Sequence, residues 1–292
     1  YLPMGHNFSV AATAIDRCSP ASTLHRHMTD ADMPASAHRP RWRRFSPSMG
    51  WRAFWSEIVI VVLGVAIALA ANQLAEDWSW RNKVADGQAR LLGDTERLFV
   101  RSAEHYAALP CVYAQLDQLA RRVVDSSDTL APAPLHADPA ILSSPTFVLR
   151  MPTRPWGLPT WDALVANGTA THFSQPWQDR YAQLDDGAAQ ICDYRMESNR
   201  LIGRLAVLSY PIPLDASTRR DSLVDIELLR RLAGSTMVTS SQLMAFMLRD
   251  GIAPGAPAVD AYLQASGTVR FCKQQGLPLA DWRAVAPAPP AR

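Results

Sequence analysis

The chain has 292 residues, a formal net charge of +2, 22 prolines and four cysteines. This length allows one or two domains with a buried core. The nearly balanced charge indicates neither a nucleic-acid binder nor a trap for acidic ligands. Four cysteines are also too few for a disulfide-built scaffold of this size. These exclusions leave a globular protein. The order of its segments indicates where it lies relative to a membrane.

Residues 1–48 have the composition of a disordered, basic tail. They mix Ser, Pro, Ala, His and Arg without a period of 2 or 3.6 residues. Part of this tail need not be translated, because internal methionines offer natural starts after Tyr1: Met28, Met33 and Met49. Irregular spacing of four histidines favours a solvated tail over a metal-binding one. These histidines are His6, His25, His27 and His38.

The next segment is long and apolar enough to cross a membrane. Residues 58–71 are fourteen residues without a polar side chain, and residues 54–74 extend the run to 21. At about 1.5 Å per residue, such a helix reaches about 30 Å, the thickness of a hydrocarbon core. Membrane interfaces favour amphipathic rings, and four tryptophans flank the run: Trp51, Trp55, Trp78 and Trp80. We predict a transmembrane helix over residues 52–75 that contacts the lipid bilayer.

A cleaved signal peptide is the alternative for this segment. Ala68, Leu69 and Ala70 match an A-x-A cleavage pattern. Glu57 at the start of the run, and a helical pattern that continues beyond it without a breaker, favour a retained anchor instead. Both interpretations export the rest of the chain.

Basic residues are concentrated before the run, and they set the expected orientation. The five arginines on that side are Arg39, Arg41, Arg43, Arg44 and Arg52. After the run, Arg81 and Lys83 are offset by neighbouring acidic residues. The positive-inside rule then places the N-terminus in the cytoplasm and the C-terminal domain in the periplasm of a bacterial inner-membrane protein.

Beyond the span, apolar periodicity predicts membrane-proximal helices over residues 76–126. One is expected to run to about Ala108 and a second from Val112 to about Asp125, because Pro110 interrupts the pattern. Residues 127–159 form a Pro-rich loop.

Residues 160–284 are predicted to form a helical domain. We expect Thr160 to cap a short helix that Gly168 closes, and Ser174 to cap a long helix. Further helices are expected at about 219–233, 236–250 and 258–273, with Ser235 opening the second of these. Residues 285–292 read as a disordered tail. Because strand signals are weak, the predicted fold class is all-α, with one transmembrane helix continuing into a bundle-like exported domain.

Two stretches resemble a family of uncharacterised single-span bacterial membrane proteins. SEIVIVVLGVAIALAANQLAEDWSWRNKV (residues 56–84) is similar to that family's E-I-x-I-V-x-L-G-V-x-I-A-L anchor and the acidic, Trp-containing segment after it. TWDALVANGTATHFSQPWQDRYAQL (residues 160–184) is similar to its helix turn before the next helix. The resemblance implies an intact anchor and a helical exported domain, and it brings no established activity.

The span carries a candidate dimer face. Gly64, Ala68 and Asn72 recur every four residues. Small residues at this spacing let two helices approach closely, and Asn72 can hydrogen-bond across the pair. A homodimer through the span is therefore one expectation, and chance spacing in an Ala-rich chain is the other. Glu57, at the inner edge, is expected to be an interfacial carboxylate near Arg52 rather than a functional charge.

Three cysteines follow the span and would lie in an oxidising compartment, so one disulfide and one leftover thiol are expected. Cys111 and Cys272 lie near predicted helix ends, whereas Cys192 lies deep in a long helix. The favoured pair is therefore Cys111 with Cys272. Cys18, in the tail, is expected to be cytoplasmic and reduced.

Sequence motifs for catalysis are missing. The chain has no H-E-x-x-H, G-x-S-x-G, phosphate-cradling glycine loop or C-x-x-C. The polar residues considered as catalytic candidates are best explained as scattered surface groups: His105, His136, His172 and Asp162. We expect no catalytic, cofactor-binding or metal-binding residue, and no cofactor.

These observations favour a non-catalytic, membrane-tethered domain that acts in the periplasm by binding an unknown envelope protein or a small ligand, and not nucleic acid. The alternative is a membrane-anchored or secreted periplasmic enzyme of unknown reaction, with its site between the Pro-rich loop and the helices of residues 160–210. Clustered His and Asp with shifted pKa values would favour the enzyme, and an exposed apolar patch would favour the binding module.

Overall fold

The computed structural model describes residues 51–136 and 147–285. The predicted N-terminal tail with its histidines, Cys18, and residues 286–292 of the predicted C-terminal tail lie outside the described residues. The fold of the described residues is all-α, as predicted, with 78% of them helical and 3% in strands.

Six α-helices carry the fold of the described part. They are α1 (Trp51–Asp125), α2 (Pro159–Ala166), α3 (Gln175–Leu205), α4 (Ala216–Arg249), α5 (Ala256–Ala265) and α6 (Gly267–Gln274). Short 3-10 turns lie at Thr169–His172, Ala206–Ser209 and Trp282–Ala284. The two strands, β1 (Thr129–Leu130) and β2 (Ile212–Pro213), pair antiparallel with Leu130 opposite Ile212.

The chain divides into two compact units at Asp86 and Gly87, within α1. In the first unit, the described residues are the start of α1, whose apolar side chains are exposed: Val62 and Ile67 are each 61% exposed. The second unit, from Gly87 onward, contains the hydrophobic core. We describe each unit by itself.

The core of the second unit lies where α1, α3 and α4 meet. Each helix contributes fully buried leucines, such as Leu116, Leu201 and Leu229. Glycines permit the close approach of these helices. A Cβ at Gly187 of α3 would lie 2.7 Å from Leu243 of α4, which is closer than packed carbon atoms allow.

The prediction that Pro110 separates two helices is wrong, because α1 is one helix with Pro110 inside it. Proline in a helix interior costs about 3 kcal/mol, so tertiary contacts must offset it. On one side of Pro110, the carbonyl of Ala107 accepts a hydrogen bond from the Ala280 N–H at 2.9 Å. On the other side, Cys111 is bonded to Cys272. The C-terminal segment thus contacts α1 on both sides of the proline.

The two helices predicted at 219–233 and 236–250 are also one helix, α4. Ser235 lies inside it and does not open a new helix. Gly234 resembles a helix end in sequence, but a Cβ there would lie 2.7 Å from the Tyr113 hydroxyl. A glycine is present inside α4 at this position because α4 passes close to Tyr113 of α1.

Helix starts were predicted with mixed success. The expected cap at Thr160 is wrong: α2 begins at Pro159, and the Thr160 N–H donates to the Asp94 carboxylate of α1 at 2.8 Å. Ser174 lies at the N-cap of α3, although its side chain makes no capping hydrogen bond. Asp215 caps α4 by accepting from the Thr218 N–H at 2.6 Å.

The segment before α2 is fastened to α1 by a buried glutamine. The Gln115 side-chain amide donates to the Arg150 carbonyl at 2.9 Å, and its oxygen accepts from the Arg150 N–H at 2.8 Å. This reciprocal pair fixes where the chain continues to Arg154, which belongs to the site described next.

Candidate functional site

The predicted dimer face lies on the exposed surface of α1. Gly64, Ala68 and Asn72 are all exposed, and a Cβ at Gly64 would have no heavy atom within 4 Å. Glu57 is exposed as well. The homodimer through this face stays a prediction.

The tryptophans proposed as interfacial anchors lie at both ends of the apolar run. Trp51 and Trp55 stack with ring centroids 6.5 Å apart. Trp78 is 70% exposed, and the ammonium of Lys83 lies 4.1 Å from the Trp80 ring centroid. Their role at a membrane interface stays a prediction.

Cys111 of α1 and Cys272 of α6 form a disulfide with Cα atoms 5.9 Å apart. This is the pair favoured by the sequence. Cys192 is disulfide-bonded too, and the described part of the chain holds no free cysteine. The expectation of a leftover thiol is therefore wrong.

The polar residues considered as catalytic candidates lie on four separate elements. His105 is on α1, His136 pairs with Phe147 in an isolated bridge, Asp162 is on α2, and His172 ends a 3-10 turn. Residues 51–136 and 147–285 hold no group of three His, Cys, Asp or Glu side chains that could bind a metal.

His105 is the most perturbed of these candidates. Its ring packs edge-on against Trp156 with centroids 5.2 Å apart, and its Nε2 has no hydrogen-bond partner among the described residues. Burial first, and the nearby charge of Arg195 second, lower the pKa of His105 to about 4. The ring is therefore neutral at pH 7 and enclosed, as expected of a core residue.

A concave site is found elsewhere, on the side of α1 that faces α5. This arginine pocket has a volume of about 380 Å³. Its lining residues are Glu96, Arg97, Val100, Arg101, Arg154, Ala258 and Tyr262.

Three elements position the arginines of this pocket. Arg97 and Arg101 lie one helical turn apart on α1, which places them on the same face. The Arg101 guanidinium donates to the Pro155 carbonyl, and Arg195 of α3 donates to the Arg154 carbonyl at 3.4 Å. The backbone of residues 154 and 155 is thus held between two helices, and this places the Arg154 side chain at the pocket.

A buried carboxylate lies behind the pocket. Glu104 is 2% exposed; one of its oxygens accepts from the Tyr262 hydroxyl at 3.1 Å, and the other from the Ser266 hydroxyl at 2.5 Å. Burial first, and the Glu104 charge second, raise the pKa of Tyr262 to about 12. Tyr262 therefore keeps its proton at neutral pH and donates it in a hydrogen bond to Glu104, so its hydroxyl is not a base for proton abstraction.

The charges around Arg101 are predominantly positive. Burial lowers the pKa of the Arg101 guanidinium, Tyr262 raises it, and Arg97 and Arg154 lower it further. Arg97 forms an ion pair with Asp94. Arg101 and Arg154 make no ion pair with any carboxylate in the described ranges, and Glu96 is the one carboxylate among the lining residues. The pocket therefore has an excess of positive charge.

Sequence reasoning missed this site. The available signal was Arg97 and Arg101 four residues apart on one helix face. Arg154 and Tyr262 come from distant segments, and only the fold brings them to α1.

Comparisons with family models, curated proteins and solved structures give no significant match. The resemblance of residues 56–84 and 160–184 to a single-span family therefore stays an expectation from sequence.

Proposed function

We propose that this protein is a single-pass bacterial inner-membrane protein whose periplasmic helical domain acts by binding and not by catalysis. One observation carries the placement: a segment of α1 within Phe54–Asp125 has a mean hydropathy of 2.4, and none of it is buried. This is the one helix of the described part that is long and apolar enough to cross a membrane.

Exposure of this segment supports a membrane position. The core helix of a soluble protein is mostly buried, whereas Leu63 and Leu69 here are 58% and 60% exposed. Each fully buried aliphatic side chain is worth about 1.5–3 kcal/mol over an exposed one. A run of such side chains is therefore stable in hydrocarbon and costly in water.

A retained anchor is supported over a cleaved signal by the continuity of α1. The same helix continues from the apolar run to Leu91, Leu98 and Phe99, which are buried in the domain. Export is supported by the Cys111–Cys272 disulfide, because such bonds persist in oxidising compartments. The arginines that precede the run support a cytoplasmic N-terminus.

Binding is supported over catalysis by the arginine pocket. It presents guanidinium groups and a protonated phenol, and neither is a nucleophile or a base at neutral pH. The competing enzyme hypothesis rests on His105 with its unpartnered Nε2. However, the pKa of about 4 is far from the value that suits a general base at pH 7.

The test of placement is membrane fractionation of the chain with a C-terminal tag. We expect full-length product in the pellet after an alkaline carbonate wash. Placing arginines in the apolar run, in a Val62→Arg/Val65→Arg variant, should release it, because each charge at a bilayer centre costs about 2.5–3.5 kcal/mol.

Valines outside the run provide the matched control. Val124 and Val238 are 56% and 48% exposed, close to Val62 and Val65 at 61% and 55%. The Val124→Arg/Val238→Arg variant should stay in the pellet. A soluble product that begins near Ala71 would show that the segment is a cleaved signal peptide and not a retained anchor. If the Val62→Arg/Val65→Arg variant fractionated like the wild type, membrane insertion would be contradicted.

A further inference from the structure

We propose that the arginine pocket binds a small organic anion whose carboxylate or phosphate group pairs with Arg101 and Arg154. The proposal rests on the binding function proposed above and names the ligand class of its site. Val100 and Ala258 line the same pocket and would contact the apolar body of such a ligand.

Arg101 lies among like charges at the pocket. Its guanidinium is half-buried and faces two like charges, Arg97 and Arg154. Its hydrogen bond goes to a neutral carbonyl, that of Pro155. Buried or half-buried cations in proteins are normally paired with an anion, so this arrangement is favourable when an anion is bound.

Two buried carboxylates near the pocket already accept hydrogen bonds from other groups. Asp94 is fully buried and accepts from Arg97 and from the Thr160 N–H. Both oxygens of Glu104 accept from hydroxyl groups, those of Tyr262 and Ser266. Glu96 is exposed at the edge of the pocket. Glu96 is thus the one lining carboxylate, and neither Arg101 nor Arg154 forms an ion pair with it or with any other carboxylate of the described residues.

The size of the pocket and its donors match a small anion. A volume of about 380 Å³ lies within the range of about 300–1,000 Å³ typical of small-molecule sites. Guanidinium groups bind carboxylate and phosphate through paired N–H donors. Tyr262 faces both Arg154 and Arg101. An oxyanion of a small molecule fits this volume and the N–H donors of Arg101 and Arg154.

Binding can be measured on the purified full-length chain in phosphatidylcholine nanodiscs. We would titrate inorganic phosphate and succinate by calorimetry and expect saturable binding of at least one of them at a single site. Arg154→Ala should weaken that binding by about tenfold or more, because charge-assisted hydrogen bonds are the strong ones. The Arg154 side chain is exposed and forms no ion pair or side-chain hydrogen bond within residues 51–136 and 147–285, so this variant should fold normally.

Arg270→Ala is the matched control. Arg270 is an exposed arginine on α6 and does not line the pocket, so its replacement should leave the affinity within about twofold. Arg101→Lys keeps the charge but loses the planar fork, and it should also weaken binding.

Two sources could supply the anion, and nanodiscs that contain phosphatidylglycerol distinguish them. Unchanged phosphate affinity there supports a free small anion. The other outcome is that phosphatidylglycerol lowers the phosphate affinity of the wild type but not that of Arg154→Ala. This result supports a lipid headgroup, with the same oxyanion chemistry, as the occupant of the pocket. Absence of saturable binding to both probes, or wild-type affinity in Arg154→Ala, would overturn the proposal. Calorimetry measures binding of the anion whereas fractionation measures membrane insertion, so the two failures are distinguishable.

Discussion

Arg219 of α4 closes the end of α1, and replacing it with methionine tests how much that contact stabilises the domain. Its guanidinium donates to the Val123 and Val124 carbonyls and to those of Ser126 and Ser127, the last three at 3.0, 2.9 and 2.8 Å. The last carbonyls of a helix have no partner inside the helix. One side chain therefore serves several acceptors that would otherwise depend on water.

The expected loss in Arg219→Met is about 2–3 kcal/mol. Each hydrogen bond contributes about 0.5–1.5 kcal/mol net, and the low end applies because Arg219 is partly exposed and water can reach the freed carbonyls. The positive charge is favourable at the end of α1 and unfavourable at the start of α4, so the two dipole effects of about 0.3–1 kcal/mol largely cancel. For a domain of this size the melting temperature should fall by about 5–10 °C.

Arg220→Met is the matched control, to be compared by thermal and urea unfolding. Arg220 is the next residue of α4, but its side chain is 73% exposed and, among the described residues, forms an ion pair only with Asp221, at 3.3 Å. Its replacement should change stability by no more than about 0.5 kcal/mol. Equal shifts in the two variants would refute the reasoning, because the carbonyl contacts would then contribute nothing beyond a surface charge.

Three further predictions concern the same domain. Cys111→Ser/Cys272→Ser opens a cross-link between residues 161 positions apart and should cost about 3–5 kcal/mol in urea unfolding; an unchanged midpoint would contradict this. Gly187→Ala places a Cβ within 2.7 Å of Leu243 and should destabilise the domain by about 1–3 kcal/mol. Its control is Gly203→Ala on the same helix, where a Cβ meets nothing within 4 Å; this variant should stabilise the domain by about 0.5–1 kcal/mol. The pKa of His105 is lowered to about 4 in the fold. The free energy of unfolding should therefore keep its full value above about pH 6.5 and fall by about 3 kcal/mol as the pH drops to about 4. The His105→Leu variant should not show this fall, and a pH profile identical to that of the wild type would refute the role of His105.

Features governed by local sequence were predictable. Apolar periodicity indicated an all-α fold, and Ser174 indicated where α3 begins. The apolar run of α1 was evident from composition alone. Each of these depends on residues within a few positions of one another, which is the range that periodicity and capping rules cover.

Features governed by tertiary contact were not predictable from sequence. Pro110 and Gly234 both resemble helix ends, and both lie inside helices. In each case the reason is a distant partner: the C-terminal segment beside Pro110, and Tyr113 beside Gly234. Thr160 likewise has its N–H bonded by Asp94 of α1. A local pattern cannot contain these partners.

Sequence analysis missed the arginine pocket because the net charge of the whole chain does not reveal a local excess of positive charge. The carboxylates that balance the arginines in the formal net charge cap helices or form ion pairs elsewhere in the fold. Asp215 caps α4, Asp250 pairs with Arg180 at 2.8 Å, and Asp225 pairs with Arg204 at 2.9 Å. A net charge of +2 is thus compatible with a local excess of positive charge, because folding assigns the negative groups to helix ends and ion pairs and leaves Arg101 and Arg154 to face a cavity.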